Sequence, residues 1–227
     1  MLLLGIETSN QSGSLALLQE GQLLSARELP AAGRRHARML LPEIQDMLRQ
    51  LSILPKQLEC IAVSIGPGSF TGLRVGVVCG KTLAYAVQCP LVAVDTHLAI
   101  ASRLPDEVQE ASILDDALRG EIFVGEYRRS TNGWQRIGAP RLISAVTWVS
   151  EQTRGSICVG PGLKQHGELA AERLHLLGEE YWYPTAQAIA ELGARQTADG
   201  VTADIWSLEP HYIRRSYAEE KAGATQG

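Results

Sequence analysis

The sequence predicts a mixed α/β protein with two lobes. Each half of the chain begins with apolar runs of strand length and continues with alternating helix and strand patterns, an order that gives sheets flanked by helices. The pattern restarts after the polar stretch Pro105–Glu110, which we interpret as the boundary between the lobes. The 227 residues can bury a substantial core in one or two domains. We therefore expect a first lobe over residues 1–104, completed by the segment 206–222, and a second lobe over residues 105–205.

The first lobe is predicted to begin with three strands and a helix. Three apolar runs separated by short polar turns predict the strands: Leu2–Ile6, Ser14–Leu18 and Gln22–Glu28. Apolar residues from Met39 to Leu51 then recur at spacings of three and four, which indicates one face of a helix. Pro42 lies near the predicted start of this helix, where proline is tolerated.

A strand, a glycine-rich loop and a second helix follow. The β-branched run Ile61–Ile65 is typical of a buried strand. The loop Gly66–Gly72 leads into Leu73–Val87, a predicted helix rich in small residues that let another element approach its backbone. The lobe continues with a strand over Pro90–Val94 and a helix over Thr96–Arg103.

The second lobe repeats this plan only coarsely, and its similarity to the first is too weak to predict a repeat. Its predicted strands are Ser112–Asp115, Glu121–Arg128 and Ile157–Val159. Asn132-Gly133 favours a hairpin turn. The predicted helices run from a cap at Ser144 through Glu151 and over Ala186–Arg195.

Composition excludes several functional classes. The net charge of −4 and the 5% of aromatic residues argue against a protein that binds nucleic acid by itself, which needs a basic surface or stacking side chains. The four cysteines form no C-x-x-C pair and are expected to be buried thiols. The amino terminus has neither a basic leader nor a long apolar run, so we expect a cytoplasmic protein.

The glycine-rich loop has two interpretations, which the residues alone leave open. A loop between a strand and a helix could present backbone N–H groups to an anion, or it could be a tight turn that lets the helix pack closely. Glu7-Thr8-Ser9 could likewise hold a metal-bound phosphate or form a hydrogen-bonded turn. Gly80-Lys81-Thr82 is not a P-loop, because Val75 stands where the motif needs its first glycine.

Other candidate sites are weaker. The five histidines form no H-x-x-x-H or H-E-x-x-H pair, and no G-x-S-x-G elbow occurs. We interpret Asp115, Asp116 and Glu121 as a solvated strand end. A small basic cluster is either a solvated helix start or a contact for RNA or an acidic partner: Arg34, Arg35, His36 and Arg38.

Two long segments resemble a known family. They are Leu4-Gly5-Ile6-Glu7-Thr8-Ser9 and Gly66-Pro67-Gly68-Ser69-Phe70-Thr71-Gly72-Leu73-Arg74-Val75-Gly76. Shorter matches follow in order: Arg35-His36, Leu41-Pro42, Asp116-Ala117, Gly120-Glu121-Ile122-Phe123, Pro184-Thr185-Ala186, Ile189-Ala190-Glu191-Leu192 and Glu209-Pro210-His211-Tyr212-Ile213-Arg214. In these segments the chain resembles, over nearly its whole length, the bacterial TsaB (YeaZ) family of tRNA threonylcarbamoyladenosine biosynthesis proteins.

The resemblance implies a fold and a pathway. The fold is that of the actin/Hsp70/sugar-kinase superfamily, with two ribonuclease-H-like lobes of mixed sheets. The pathway places threonylcarbamoyl on the adenosine beside the anticodon of ANN-decoding tRNAs. TsaB proteins are the non-catalytic relatives of TsaD, which transfers the group from threonylcarbamoyl-AMP and holds a metal with an H-x-x-x-H motif. Thr96 and Ile100 stand at the matching positions here, and His97 is offset by one. The resemblance therefore implies neither a metal nor a catalytic residue in this chain.

The sequence departs from the family in one motif. Many members have Asp-Ala-Arg where this chain has Asp116-Ala117-Leu118, with the arginine moved to position 119.

The resemblance also implies partners. TsaB pairs with TsaD through two helices that form a four-helix bundle, and these are roughly Arg35–Leu51 and Phe70–Val87 here. The expected interface residues are His36, Met39, Leu40, Phe70, Leu73, Arg74, Gly76, Val77 and Gly80. The ATPase TsaE would be a third partner, a homodimer would form without TsaD, and tRNA would be contacted through the complex. No cofactor is expected beyond ATP or ADP at an interface of the complex.

Two other functions stay open as alternatives. A kinase or ATPase of the same superfold would use a phosphate-binding set made of Glu7, Thr8, Ser9, Gly66, Gly68 and Ser69. A peptidase is disfavoured, because the sequence offers neither a metal-ligand pair nor an activated nucleophile.

Overall fold

A computed structural model describes residues 1–10, 12–29 and 36–211, with only the backbone described for residues 36–38. Within this described part of the chain, the strands are β1 (Leu2–Glu7), β2 (Ser14–Gln19), β3 (Gln22–Glu28), β4 (Cys60–Ser64), β5 (Leu91–Val94), β6 (Glu110–Asp116), β7 (Glu121–Ser130), β8 (Gly133–Ser144), β9 (Ile157–Val159) and β10 (His175–Leu176). The helices are α1 (His36–Gln50), α2 (Phe70–Val87), α3 (Thr96–Ala101), α4 (Ala145–Glu151), α5 (Leu163–Ala171) and α6 (Ala186–Ala198). Within these ranges, no helix is both long and apolar enough to cross a membrane.

The strands form two five-stranded sheets with the same topology. The first sheet has the order β3-β2-β1-β4-β5, and the second has the order β8-β7-β6-β9-β10. In each sheet the first three strands in sequence pair antiparallel, and the last two continue parallel to the first. The chain therefore contains the same sheet twice, although its sequence does not predict a repeat.

The first sheet is covered by helices on both faces. Alternate residues of β1 point to opposite sides, so Leu2, Leu4 and Ile6 pack with α1 and α2, whereas Leu3 packs with α6. Gly5 is needed on the second side, because a Cβ there would lie 2.8 Å from the Cβ of Ala190. The central strands β1 and β4 are buried throughout, as expected for a strand covered on both faces.

The position of α6 differs from the predicted division into lobes. Residues 105–205 were expected to form the second lobe, but α6 packs on β1, β2 and β4 of the first sheet. The physical reason is close packing between small residues: Gly193 lies against Ala62, just as Ala190 lies against Gly5. A periodicity in sequence shows that a helix has an apolar face, but it does not identify the sheet that this face covers.

Helix α1 also begins earlier than its apolar periodicity indicated. Pro42 is the seventh residue of α1 rather than a residue of its first turn. Pro42 is exposed, and the helix buries its opposite side through Leu40, Ile44 and Met47, so packing on the core offsets the backbone hydrogen bond that proline cannot donate.

Candidate functional site

Glu7, at the carboxyl end of β1, is completely enclosed. Its side chain has 0% exposure, and one carboxylate oxygen accepts a hydrogen bond from the backbone N–H of Ser9. The other oxygen has no hydrogen-bond partner among the described residues. Burial raises the pKa of Glu7, hydrogen bonds from Ser9 and Ser64 oppose the rise, and the negative charge of Asp115 adds to it. Glu7 is thus a buried, inward carboxyl group rather than one presented to solvent.

The glycine-rich loop closes over this carboxyl group. The N–H of Ser69 donates to the carbonyl of Ser9 at 2.6 Å, and the hydroxyl of Thr8 donates to the carbonyl of Gly72 at 2.8 Å. The N–H of Gly72 donates to the hydroxyl of Ser69 at 3.2 Å, which caps α2. These groups therefore have partners inside the protein.

The glycines of this loop allow the close approach that those bonds require. A Cβ on Gly68 would lie 2.6 Å from the carbonyl oxygen of Ser9, and Cβ atoms on Gly72 and Gly76 would collide with Thr8. The structure thus brings together the two segments predicted as a phosphate-binding set, and packs them against each other. Of the two interpretations left open by the sequence, this geometry favours the tight turn.

A second polar cluster, around the buried Tyr127, joins the lobes. Asp95 caps α3 by accepting the N–H of Leu98 at 3.0 Å, and it also accepts the hydroxyl of Tyr127 at 3.0 Å and a guanidinium N–H of Arg136 at 2.9 Å. Because Tyr127 and Arg136 lie on β7 and β8, the first lobe is tied to the second sheet. Burial, with the negative charge of Asp95, raises the pKa of Tyr127, which keeps its hydroxyl a donor.

His97 lies in the same region and corrects a prediction. Its Nε2 is 3.1 Å from a carboxylate oxygen of Asp115, and both residues are buried. Asp115 is therefore not part of a solvated strand end. The neighbouring Asp116 is half-buried, with one oxygen 3.1 Å from Nε2 of His166. Sequence analysis could not find these pairs, because α3 and α5 bring each histidine to β6 from a different part of the chain.

A cleft of about 1020 Å³ opens beside Asp116, between the two sheets. One wall comes from the loop after β1 and from β3, and includes Asn10 and Glu28. The other wall includes Lys164 of α5 and Tyr183. Glu7 is not among the residues that line this cleft, so the enclosed carboxyl group and the open cleft are separate features.

The outward face of α1 and α2 carries exposed apolar side chains. Val78 and Tyr85 are 61% and 62% exposed, and Met39 and Phe70 are also exposed. The guanidinium carbon of Arg74 lies 4.2 Å from the centre of the Phe70 ring, which is a cation–π contact. We call this face, Met39 with Phe70, Arg74, Val78 and Tyr85, the outer helix surface.

Five predicted interface residues point the other way. Leu40, Leu73, Gly76, Val77 and Gly80 are buried, and they face the first sheet rather than a partner. A Cβ on Gly80 would lie 3.3 Å from a methyl group of Leu91, so the small-residue stripe lets α2 approach its own sheet. The spacing of four was correct for a helix face, but spacing alone does not say whether that face is internal.

Val78 and Tyr85 were missed by this sequence reasoning. The signal was present, because Phe70, Arg74 and Val78 are spaced by four residues and lie on one side of a helix. The side chain of His36 and the cluster Arg34, Arg35 and Arg38 lie outside the described residues.

Neither the cysteines nor the potential metal-binding side chains of the described residues form a disulfide or a metal site. All four cysteines are free, and burial raises the pKa of Cys79 to about 12 and that of Cys89 to about 11. Among the described residues, no group of three or more histidine, cysteine, aspartate or glutamate side chains could hold a metal ion.

Two like-ordered mixed sheets, each with three antiparallel strands followed by two parallel ones, define an actin/Hsp70-like protein with ribonuclease-H-like lobes. The fold class predicted from the sequence is thus confirmed. Solved structures agree: YeaZ from Pseudomonas aeruginosa matches 93% of this chain and 99% of its own, with a TM-score of 0.82 and 26% identity. A second Pseudomonas aeruginosa structure, described as an uncharacterized protein with similarity to peptidase YeaZ, matches 94% of this chain with a TM-score of 0.81.

Sequence comparison narrows the class to a family. The family model described as TsaD, tRNA N6-adenosine threonylcarbamoyltransferase, matches residues 30–173, more than half of the chain. The tRNA threonylcarbamoyladenosine biosynthesis proteins TsaB of Bacillus subtilis and Escherichia coli are 28% and 29% identical to it, each over 97% of this chain, and the matches cover 97% and 98% of those proteins. The chain therefore belongs to the TsaD family, and within it to the TsaB (YeaZ) proteins.

Proposed function

We propose that this chain is a non-catalytic scaffold in the biosynthesis of tRNA threonylcarbamoyladenosine, and that it binds and activates a TsaD-type paralogue. Its relatives along nearly the whole chain are named as proteins of this biosynthesis, which supports the pathway. The match of residues 30–173, which include parts of both sheets, to the TsaD family model supports a paralogue with a related fold.

The outer helix surface is the observation that carries the proposal. Large exposed apolar side chains that lie together on a protein surface mark an interaction site more often than scattered ones do. Here they follow one side of α2 from Phe70 through Val78 to Tyr85, and Met39 of the neighbouring α1 is exposed as well. Two packed helices of this kind can receive two helices of a partner by fitting side-chain ridges into grooves.

The enclosed Glu7 supports a scaffold rather than a nucleotide-using enzyme. A carboxylate that positions a metal or a phosphate has to reach the ligand, but this one is fully buried and is held by the N–H of Ser9. The loop that would cradle a phosphate is packed on Thr8 and Ser9 instead.

Complex formation tests the proposal directly. The full-length chain is mixed with its TsaD-type paralogue from the same organism, and the complex is measured by analytical ultracentrifugation. Val78→Asp should abolish the complex, because it puts a charge into the centre of the proposed contact. The matched control is Val146→Asp on α4, since Val146 is 65% exposed and Val78 is 61% exposed.

Two outcomes would contradict the scaffold role. One is a wild-type chain that forms no complex with the paralogue. The other is ATP turnover by the purified chain alone that is lost in Glu7→Gln, which would support the nucleotide-using enzyme instead.

A further inference from the structure

An exposed aromatic pair lies at the far end of α2. Trp206 is 74% exposed and Tyr85 is 62% exposed, and their rings meet edge to face with centroids 5.5 Å apart. Edge-to-face contact is a favoured geometry for two aromatic rings. Tryptophan side chains are mostly buried in folded proteins. This pair, by contrast, leaves a large apolar area in contact with water.

The backbone that carries Trp206 is firmly built. One carboxylate oxygen of Asp204 accepts the N–H of Trp206 at 3.1 Å, and the other accepts the N–H and the hydroxyl of Ser207 at 3.1 Å and 2.6 Å. These hydrogen bonds, the one from the Ser207 hydroxyl first, lower the pKa of Asp204 and keep it an acceptor. The turn thus fixes the backbone that carries the indole ring.

Lys81 fastens this turn to α2. Its ammonium group donates to the carbonyl of Trp206 at 3.3 Å and to that of Leu208 at 3.0 Å. The side chains of Ile205 and Leu208 pack on the core beneath α2, and the N–H of Ala203 donates to the carbonyl of Leu91 at 2.7 Å. The lysine that resembled part of a P-loop therefore anchors a neighbouring segment.

We propose that Tyr85, at the end of the outer helix surface, and the neighbouring Trp206 form a preformed anchor that fills an apolar pocket on the TsaD-type paralogue. This inference rests on the proposed function. Tryptophan and tyrosine are enriched among the residues that dominate binding energy. An anchor that is already ordered also loses little side-chain entropy on binding.

Continuity with the outer helix surface favours the paralogue as the occupant. Tyr85 lies about two helical turns beyond Val78, on the same stripe of α2. The 18 residues of α2 include Arg74 and Lys81 but no aspartate or glutamate. A partner face that is apolar and carries acidic side chains at its edge would complement this helix.

The test measures the affinity of the full-length chain for the paralogue by isothermal titration calorimetry. Trp206→Ala and Tyr85→Ala should each raise the Kd by about 10-fold to 100-fold. The control is Leu118→Ala in the second lobe, where Leu118 is 67% exposed, and its Kd should be unchanged. Circular dichroism and thermal unfolding establish that each variant is folded, and Trp206→Phe should restore part of the affinity.

A second readout follows the tryptophan itself. Trp148 is fully buried and Trp134 nearly so, which makes Trp206 the most accessible of the four tryptophans to the quencher acrylamide. Binding of the paralogue should reduce quenching in the wild-type chain but change it little in Trp206→Phe.

The outcomes separate the anchor from the scaffold role. If Val78→Asp abolishes the complex but the folded Trp206→Ala variant keeps the wild-type Kd, the anchor is wrong and the proposed function stands. If the wild-type chain does not bind the paralogue, both are wrong. If Trp206→Ala disrupts only self-association of this chain, the pair binds a second copy and the inference is overturned.

Discussion

Two Gly-Pro-Gly loops occupy the same place in the two sheets. The first, Gly66–Gly68, follows β4, and the second, Gly160–Gly162, follows β9, the equivalent strand. Their first glycines have nearly the same positive φ, +121° and +119°. Each loop packs closely against the central strand of its sheet or the turn that follows it. Gly68 contacts Ser9, just after β1, and Gly160 contacts Leu114 of β6. The Gly-Pro-Gly loop is thus a structural feature of this fold, and its presence does not by itself indicate a ligand site.

The helices that follow these loops differ. α2 has 18 residues and leaves large apolar side chains exposed, whereas α5 has nine residues and places Lys164 and Gln165 at the cleft. The acids that end the first strand of each sheet differ as well, because Glu7 is enclosed and Asp116 is open to the cleft beside His166. One framework therefore presents a helix with exposed apolar side chains in the first lobe and a polar wall in the second.

Matched glycine substitutions in α2 and α5 should give the largest difference in the free energy of unfolding. Gly76→Ala puts a Cβ onto the hydroxyl of Thr8, whereas Gly167→Ala in α5 meets nothing closer than 3.9 Å. We expect Gly76→Ala to lower the free energy of unfolding by about 1–3 kcal/mol, and Gly167→Ala to raise it by up to about 1 kcal/mol through helix propensity. Urea unfolding measures both, and equal effects would mean that α2 is not packed more tightly than α5.

Loss of the Asp95 contacts should have the next largest effect. Asp95→Ala removes the cap of α3 together with the bonds from Tyr127 and Arg136, so we expect a loss of about 1–3 kcal/mol. Asp116→Ala, which removes half-buried contacts to His166 and to the N–H of Leu118, should cost less. Thermal unfolding compares them, and a larger loss for Asp116→Ala would contradict a strong tie between the lobes at α3.

The enclosed Glu7 should also affect the pH dependence of stability. Burial raises the pKa of Glu7 in the folded state, so the folded protein keeps that proton to higher pH than the unfolded chain. This contribution is present below the ordinary pKa of glutamate and is lost as pH rises through the folded value. Glu7→Gln should therefore flatten the fall in unfolding free energy above about pH 4.3. An unchanged slope in Glu7→Gln would refute the enclosed carboxyl group.

The smallest expected effect concerns how Trp206 is held. Lys81→Met removes the two bonds to the carbonyls of Trp206 and Leu208 but leaves the aromatic pair. We expect a Kd for the paralogue about fivefold higher, roughly the value of one hydrogen bond. Lys164→Met in α5 is the matched control, and a weakening larger than that of Trp206→Ala would point to a direct contact by Lys81 instead.

Local patterns predicted much of this fold. The helix predicted over Leu73–Val87 is confirmed as α2, with three further residues at its start, and the first three strands follow from their alternation with polar turns. Strand β8 was not predicted, because it is mostly exposed and carries no apolar alternation. The α5 helix was missed for a related reason, since only Leu163 and Ala170 of its nine residues are buried.

The candidate site was harder to predict. It depends on which way each side of a helix faces and on contacts between residues that are far apart in the sequence. The glycine stripe of α2 has the spacing expected of an interface, yet only the three-dimensional packing on Thr8 and Leu91 shows that it is internal. Trp206 and Tyr85 are 121 positions apart in the printed sequence, and nothing local pairs them. The pair His97 and Asp115 likewise depends on how the lobes meet.

Reconstituted modification activity tests the central claim most directly. Threonylcarbamoyl transfer to an ANN-decoding tRNA is measured with the TsaD-type paralogue and the TsaE-type ATPase, with the wild-type chain, with Val78→Asp, or without the chain. A scaffold that acts through the outer helix surface predicts transfer only with the wild-type chain and with the control Val146→Asp. Equal transfer without this chain, or with Val78→Asp, would contradict the account.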